Sequence, residues 1–380
     1  MSMSDFVPLS PEEQTGLSGQ DDVQKTLLKL WNNKSLAGSW LFCGAKGIGK
    51  ATLAYRLARF ILARPEKNEN SLFGEEEVPT SLDIPADDPV FNAVAQRTAP
   101  GLCVIECALK EEELKSRQAL IDAGKPLDPE TEKSRKRYDE IRVADIREAE
   151  NFLHLTAGAN GWRVMIIDSA DDMNTNAENA LLKSLEEPPP KTVIILISHQ
   201  PGKLLPTIRS RCRKLSLKPL ENDELSDILK AKTPDIDEQS LRSLVLLSEG
   251  SLGKALSLYE LDGVSVFTQM ISLLSGFPKL PVTALYAFTE KTLKEKDVMK
   301  TAQTLFVQWL GRVCVQSQTG EGEEIFPSEL QIMKRIQNAI DPLRLMEITE
   351  EIGKAFADTD LDQKQVFANA FLKLQREAVA

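Results

Sequence analysis

Residues 44–50 read Gly-Ala-Lys-Gly-Ile-Gly-Lys, after a short apolar run at 40–43 and before a helical pattern that extends to about residue 63. The spacing G-x-x-x-x-G-K between a strand and a helix is typical of a phosphate-binding loop, or P-loop. Its glycines let backbone N–H groups close on phosphates, and its lysine reaches the β and γ oxygens. We therefore predict that Gly44, Gly47, Gly49 and Lys50 belong to a nucleotide site.

The residue after the lysine departs from the active pattern of such loops. Ala51 occupies the position where Ser or Thr would ligate Mg²⁺, and Thr52, one place further, should point elsewhere on the helix. Two interpretations stay open from the residues. Either the loop still binds nucleotide, or it keeps the shape of a P-loop without useful nucleotide chemistry.

A second motif of the same kind lies about 120 residues downstream. Residues 164–168, Val-Met-Ile-Ile-Asp, form an apolar strand that ends in Asp168, which is the pattern of a Walker B element. We place Asp168 in the predicted nucleotide site. The next residue is Ser169, and a serine cannot act as a carboxylate base that orients an attacking water. Asp171 and Asp172 lie on the following turn.

Around these motifs, apolar runs alternate with helical patterns, which predicts a five-stranded parallel α/β sheet. The predicted strands are 40–43, 102–106, 163–168, 192–198 and 214–217, and the predicted helices are 21–34, 49–63, 142–157, 175–187 and 203–209. We expect this domain to span 1–218, with an insertion at about 64–140. Within the insertion, 64–100 is predicted as a long surface loop and 108–140 as two exposed helical pieces around a turn.

The strand signal stops after Pro219, and apolar residues then recur at helical spacing to the end of the sequence. We predict a small helical lid at 219–262 and an all-α C-terminal domain at 263–380. The two histidines give weak signals. His199 closes the fourth predicted strand, as a polar loop residue or a γ-phosphate sensor, and His154 lies in a predicted helix as a packed or surface residue.

Composition excludes several classes of function. The formal net charge of −11 argues against a stand-alone, non-specific DNA binder. No apolar run is long enough for a membrane helix, and the polar N-terminus does not look like a signal peptide, so we expect a cytoplasmic protein without a membrane partner. The five cysteines, at 43, 103, 107, 212 and 314, suit a reducing compartment, and they predict no zinc or other metal site.

Two further runs are more specific than the nucleotide motifs. Residues 179–189 read Asn-Ala-Leu-Leu-Lys-Ser-Leu-Glu-Glu-Pro-Pro, and residues 210–212 read Ser-Arg-Cys. Together with the P-loop, they make the chain resemble the clamp-loader family of AAA+ proteins, and within it the δ′ type of subunit of bacterial DNA polymerase III. The shared stretch runs from about 38 to 217, without the insertion, and the C-terminal third adds only length and helicity.

The resemblance assigns a role to Arg211. In that family the arginine of Ser-Arg-Cys acts in trans as an arginine finger on ATP bound to a neighbouring subunit. A guanidinium suits this role because it stabilises charge on the transferring phosphoryl group. The alternative is a surface arginine that caps a helix. Ser210 and Cys212 are expected to position the loop, while Arg209 and Arg213 make the segment locally basic.

The resemblance also indicates what this chain lacks. ATP-hydrolysing subunits carry an arginine after Gly-Ser-x in the sensor 2 segment, where this chain has Gly253, and Lys254 is one helical step of roughly 100° away. Because Ala51, Ser169 and Gly253 all depart from the active pattern, we expect no intrinsic ATPase activity. Many relatives carry a four-cysteine zinc module after the P-loop helix, but residues 63–101 contain no cysteine.

The resemblance finally implies partners. It predicts a hetero-pentamer with γ/τ and δ subunits, joined through the C-terminal domain as a collar, which loads a sliding clamp onto primed DNA as part of a DNA-directed DNA polymerase. ATP would sit on the neighbouring subunit, with no tightly bound cofactor on this one. The alternatives are an active γ/τ-like ATPase motor, and a non-replicative AAA+ adaptor that only binds proteins.

Overall fold

The protein was analysed as a computed structural model. It describes residues 10–64, 78–125, 131–132, 135–154, 161–320, 322–358 and 361–379. The chain forms two compact units that divide between Pro219 and Leu220, and we call Pro8–Pro219 the first unit and Leu220–Ala380 the second unit.

The first unit contains the predicted five-stranded parallel sheet. Its strands are β1 (Gly38–Cys43), β2 (Leu102–Ile105), β3 (Arg163–Asp168), β4 (Thr192–Ser198) and β5 (Arg213–Ser216), in the order β2-β3-β4-β1-β5. Every residue of the central strand β4 is buried. This explains its continuous apolar run, because helices cover both faces of a parallel sheet. The predicted α/β fold class is confirmed.

The first unit also contains helices, and several of them pack on the sheet. The helices are α1 (Asp21–Asn32), α2 (Lys50–Leu62), α3 (Pro89–Ala95), α4 (Glu111–Asp122), α5 (Val143–His154), α6 (Thr175–Glu186) and α7 (Pro206–Arg211). One hydrophobic cluster joins the sheet to α1 and α2, and includes Leu27 and Phe60. A second cluster on the opposite face joins it to α5, α6 and α7, and includes Leu181 and Ile208. Packing against the sheet therefore fixes the positions of α2, which follows β1, and of α7, which follows β4.

The predicted surface loop at 64–100 is wrong in part. The structure contains α3 there, with Phe91 and Val94 buried. The Asp88 side chain caps this helix by accepting from the Val90 N–H at 2.7 Å, and the guanidinium of Arg59 lies 4.3 Å from the centre of the Phe91 ring. A seven-residue helix shows too little periodicity to be read from sequence and depends on such contacts. Residues 65–77 lie outside the described residues.

The other predicted elements differ mainly at their ends. The first helical piece of the 108–140 stretch is α4, which has no buried residue. In the second piece, 126–130 and 133–134 lie outside the described residues, and 135–140 are not helical, since Arg137 forms an isolated antiparallel β-bridge with Leu109. The predicted second helical piece is therefore wrong over 135–140. The helix predicted at 203–209 is α7, which begins at Pro206 because proline fits the first turn, where its missing N–H is not needed. The predicted 142–157 helix is described as α5, and its last three residues lie outside the described part.

The second unit is helical throughout its described length. Its helices are α8 (Asn222–Lys232), α9 (Glu238–Ser248), α10 (Leu252–Glu260), α11 (Gly263–Ser272), α12 (Val282–Lys291), α13 (Lys296–Thr319), α14 (Glu329–Ala339), α15 (Pro342–Ala357) and α16 (Gln363–Val379). One hydrophobic cluster contains residues from Leu220 to Leu374. The division of this unit into a lid and a collar therefore stays a prediction.

Candidate nucleotide site and arginine-bearing rim

The predicted nucleotide residues meet at the carboxyl edge of the sheet. The P-loop follows β1, Asp168 ends β3, and Ser198 ends the strand between them. Cys43 pairs in register with Ser198, and Asp168 pairs with Ile197. Parallel strands present their carboxyl ends at one edge, which is where α/β folds place their ligands. The structure thus brings together residues that are more than a hundred positions apart.

Two P-loop glycines are required by the backbone. Gly44 has φ of +144°, and a Cβ there would lie 2.9 Å from the carbonyl oxygen of Leu217. Gly49 has φ of +97°, and a Cβ there would lie 2.5 Å from Cδ1 of Leu17. Both φ values lie in the left-handed region that favours glycine. The approach of Leu17 also places the segment before α1 beside the P-loop, which the sequence did not predict.

The P-loop lysine is bonded to its own loop. Lys50 is only 3% exposed, and its Nζ donates to the carbonyl oxygens of Gly44 at 2.6 Å and Ala45 at 2.5 Å. Burial lowers the pKa of this ammonium to about 8, although the nearby carboxyl of Asp168 opposes that shift. The ammonium therefore stays mostly protonated near pH 7, and two of its N–H donors are engaged by carbonyl oxygens of its own loop.

Asp168 is held as a weak acid. Burial, followed by repulsion from Glu106, raises the pKa of its carboxyl to about 6, while Lys50 acts in the opposite direction. A Walker B aspartate acts on a metal ion as an anion, so a raised pKa weakens that capacity near neutral pH. This effect adds to the missing hydroxyl at Ala51.

The hydrogen-bond partners of the Asp171 carboxylate differ from those of a catalytic acid. It accepts from Ser198 Oγ at 2.6 Å, from the backbone N–H of His199 at 2.5 Å, and from that of Gln200 at 3.3 Å. Ser169 Oγ also donates to it at 3.1 Å. These hydrogen bonds outweigh the effect of burial and lower the pKa of Asp171. Asp171 therefore ties the ends of β3 and β4 together, and does not replace the acid missing at position 169.

His199 is a neutral group beside this carboxylate. Burial and then the charge of Lys50 lower the pKa of its imidazole to about 4, so the ring carries no charge near pH 7. Within the described residues, its buried Nδ1 makes no hydrogen bond. His199 could therefore contact a phosphate only as a neutral ring. His154 is exposed at the end of α5.

The segment 10–20 is fastened to α2 by two buried arginines. Arg56 Nη1 donates to the carbonyl oxygen of Thr15 at 2.7 Å, and Arg59 Nη2 donates to that of Gln14 at 2.8 Å. The amide of Gln20 then bonds the carbonyl oxygen of Lys218 at 2.7 Å. The sequence carries a signal for this anchor, because both arginines interrupt an otherwise apolar face of α2.

Arg211 lies at the end of α7 with its side chain 32% exposed. Its Nε donates to Glu186 in an ion pair, and its Nη1 donates to the carbonyl oxygen of Thr207 at 3.0 Å. Its neighbour Cys212 is buried, and burial raises the pKa of that thiol to about 12. Ser210 Oγ bonds the same Thr207 carbonyl at 3.1 Å. Ser210 and Cys212 therefore make local contacts while Arg211 reaches the surface.

The sensor 2 segment lies at the start of α10 in the second unit. Ser251 caps this helix, since its hydroxyl accepts from the backbone N–H of Lys254 at 3.2 Å. Gly253 is exposed and carries no side chain for a phosphate. Lys254 Nζ donates to Oε1 of Gln308 at 2.6 Å, within the same unit. The one cation next to the missing arginine is thus engaged by a neighbouring helix.

Neither metal nor membrane features stand out in the described ranges. The five cysteines are free thiols, and the described residues contain no group of three or more His, Cys, Asp or Glu side chains arranged to hold a metal ion. Among the described helices, none combines the length and apolar character needed to cross a membrane.

Comparison with known proteins adds a family. Residues 19–221 match the sequence model of the family described as DNA polymerase III, delta subunit, which is more than half of the chain. DNA polymerase III subunit delta′ of Pseudomonas aeruginosa is 43% identical over 141 residues, which cover 37% of this chain and 42% of that protein. DNA polymerase III subunit tau of Bacillus subtilis is 27% identical over 304 residues, which cover 78% of this chain and 46% of that protein.

The chain therefore spans less than half the length of these two curated relatives. Among solved structures, a DNA polymerase III gamma subunit-related protein from Thermotoga maritima aligns with a TM-score of 0.42 and 18% identity, covering 93% of this chain and 99% of that one.

Proposed function

The chain belongs to the family described as DNA polymerase III, delta subunit, and from that premise we propose that it is a δ′-like subunit of the clamp loader. In this proposal it helps to load a sliding clamp onto primed DNA in a hetero-pentamer with γ/τ and δ subunits. It hydrolyses no ATP of its own and supplies Arg211 in trans to the ATP site of a neighbouring subunit.

The observation that carries the proposal is the state of the two cationic groups. The ammonium of Lys50 is buried and bonded to its own loop, whereas the guanidinium of Arg211 is partly exposed at the end of α7. An arginine finger must leave its own subunit's surface to meet a phosphoryl group, and its planar fork suits two phosphate oxygens. The side chain of Arg211 reaches the surface and so meets the first requirement. The buried side chain of Lys50 does not reach the surface.

The proposed lack of ATPase activity is supported by three separate departures. Ala51 offers no hydroxyl for Mg²⁺, Ser169 is bonded to Asp171 in place of a catalytic acid, and Gly253 replaces the sensor 2 arginine. General acid–base assistance requires a group that can hold a proton at the attacking water. In this chain the nearby carboxylate of Asp171 already accepts hydrogen bonds from two strands' ends.

Reconstitution tests the proposal directly. The purified chain is mixed with γ/τ and δ subunits of the same bacterium, and the mass of the assembly is measured. We expect one copy of this chain in a hetero-pentamer that loads the clamp onto primed DNA. An assembly of full mass and activity that forms without the chain would refute the proposal.

A second candidate is an active γ/τ-like motor. It is favoured by the broader coverage of the Bacillus subtilis tau match and by the retained P-loop Lys50. The two candidates differ in the turnover of the isolated chain. A motor should hydrolyse ATP within the usual enzyme range of about 1 s⁻¹ or above, whereas the δ′-like reading predicts only background.

A further inference from the structure

The helix that carries the predicted finger is held by the preceding helix at both ends. At the start of α7, the buried carboxylate of Glu178 accepts from the backbone N–H of Leu205 at 3.2 Å, and Leu205 is the residue that caps α7. At its end, Glu186 forms the ion pair with Arg211. Both glutamates lie on α6, inside or beside the run at 179–189 whose role the proposed function does not explain.

The short α7 needs such support. It has only six residues, and one or two turns of helix are unstable without tertiary contacts. Its Ile208 is fully buried in the same hydrophobic cluster as Leu181 of α6. Glu178 is 5% exposed, so its carboxylate is committed to the interior, and burial raises its pKa while the bond from Leu205 acts in the opposite direction. Helix α6 therefore fixes both the position and the orientation of α7.

The loop before α7 is also fixed at its other end. Asp171 accepts from the backbone N–H groups of His199 and Gln200, directly after β4. The loop of about six residues between these bonds and the Leu205 N–H therefore has both ends attached to carboxylates. These bonds fix the two ends of the loop that leads into α7.

The contacts of Arg211 leave one edge of its guanidinium available. Glu186 takes the Nε–H and the Thr207 carbonyl takes one N–H of Nη1. Within the described residues, no hydrogen bond uses Nη2. An arginine presents five N–H donors in a planar fork, so the Nη1–Nη2 edge keeps donors for two acceptor oxygens. Glu186 binds the Nε side of the guanidinium and leaves the Nη2 donors unused.

We propose that Glu178 and Glu186 are positioning residues that hold Arg211 ready for an anionic phosphoryl group on a neighbouring subunit. The inference rests on the proposed function and adds the reason for two carboxylates of α6. Neither glutamate touches the phosphoryl group, and each acts through α7. Because a finger contributes most in the transition state, loss of positioning should lower kcat for ATP and leave KM nearly unchanged.

The first experiment uses the reconstituted loader with clamp and primed DNA. Glu186→Ala should lower kcat by about tenfold at the site that Arg211 serves, since small errors in placing a reacting group can cost up to about a hundredfold. Glu186→Gln keeps an acceptor oxygen for Nε and should retain more of the rate. Glu187→Ala is the matched control, because Glu187 is the adjacent exposed carboxylate and contacts neither end of α7 in the described structure.

The second experiment tests Glu178 at the other end of α7. Glu178→Gln keeps the acceptor for the Leu205 N–H and should retain most of the rate, whereas Glu178→Leu removes it and should lower kcat. Hydrogen exchange of the amides at 205–211 should be faster in Glu178→Leu than in Glu178→Gln. Rescue by glutamine, together with unchanged KM, distinguishes positioning from general destabilisation.

A combined variant separates this inference from the proposed function. If Arg211→Ala slows the loader, and Glu186→Ala causes no further loss in that background, the glutamate acts through the arginine. If Arg211→Ala slows the loader but Glu186→Ala and Glu178→Leu match wild type, the inference fails and the proposed function stands. A faster Glu186→Ala loader would also overturn it, since Glu186 would then be withholding Arg211. If Arg211→Ala has no effect, the proposed function itself fails.

Discussion

The P-loop site and the rim formed by α7 differ in how far their cations are exposed and in how those cations are bonded. At the P-loop, Lys50 is 3% exposed and its ammonium bonds two carbonyl oxygens of its own loop. At the rim, Arg211 is 32% exposed, its Nε and Nη1 are bonded, and its Nη2 makes no hydrogen bond within the described part of the chain. A buried cation whose donors bond its own loop is less accessible to a ligand, whereas a partly exposed cation with unused donors is suited to act on another molecule.

The supporting carboxylates follow the same division. Asp171, beside the P-loop, accepts donors from the ends of β3 and β4 and so holds the sheet edge together. Glu186, at the rim, binds a side chain that continues toward solvent. Under the proposed function, the chain would keep the outline of a nucleotide site as structure and act through Arg211 at a different edge.

The largest expected effect is that of Arg211→Ala in the assembled loader. An arginine finger is worth roughly 10³–10⁵ in rate at the site it completes, so that site should nearly stop. Whole-loader turnover should fall only partially, because in the proposed hetero-pentamer the other ATP sites would have their own fingers. Steady-state ATPase with clamp and primed DNA measures the effect, in complexes shown by mass to be complete.

Two controls accompany that variant. The free energy of unfolding of the isolated chain should change by less than about 1 kcal/mol, because an exposed side chain leaves no cavity. Arg211→Lys should rescue poorly, since an ammonium lacks the planar fork. Equal ATPase rates for wild-type and Arg211→Ala loaders would show that Arg211 has no role in ATP hydrolysis. Arg211 and Lys50 would then no longer differ in function.

Asp171→Ala should destabilise the first unit by about 3 kcal/mol, because several buried donors at the strand ends lose their acceptor. The pKa of Asp171 is lowered from its usual value of 3.8. Its stabilisation is therefore present above that value and is lost as the pH falls through the folded pKa. Urea denaturation from neutral pH to about pH 3 should show wild type approaching the variant in acid. A gap that stays constant with pH would contradict the assigned ionic role.

Ser169→Glu places the missing acid at its usual position and should still give no ATPase activity. The site is 8% exposed and Asp171 lies within hydrogen-bond distance, so a second carboxylate should cost about 2 kcal/mol of stability. Ser169→Ala, which removes only the hydroxyl, should cost about 1 kcal/mol. Thermal denaturation and turnover of the isolated chain are measured together. Restored turnover would show that the P-loop site is closer to activity than Lys50 suggests.

The smallest expected effect is that of Lys50→Met on the assembled loader, whose ATPase rate should match wild type. The ammonium is satisfied by Gly44 and Ala45, and the chain's own site is not used in the proposed cycle. The measurement runs beside Arg211→Ala in the same assay. If Lys50→Met slowed the loader as strongly as Arg211→Ala, both regions would act on nucleotide and the contrast between them would disappear.

The fold of the first unit could be predicted from the sequence, and so could the proximity of the residues in its candidate nucleotide site. Strand-ending motifs at 44–50 and 164–168 lie at fixed distances from buried apolar runs, and parallel strands must bring their carboxyl ends to one edge. The departures at Ala51, Ser169 and Gly253 are likewise matters of residue identity. Such features are local, because they depend on short patterns and on what a given side chain can do chemically.

The tertiary structure determines which partners those residues bind. It bonded Lys50 to its own loop, gave Asp171 to the end of β4, placed Leu17 against Gly49 and held α7 between Glu178 and Glu186. These contacts join residues up to tens of positions apart, and their energies depend on burial and orientation that no short pattern encodes. The helix α3 was not predicted for the same reason, since a helix of seven residues depends on tertiary contacts such as the one between the Phe91 ring and the Arg59 guanidinium.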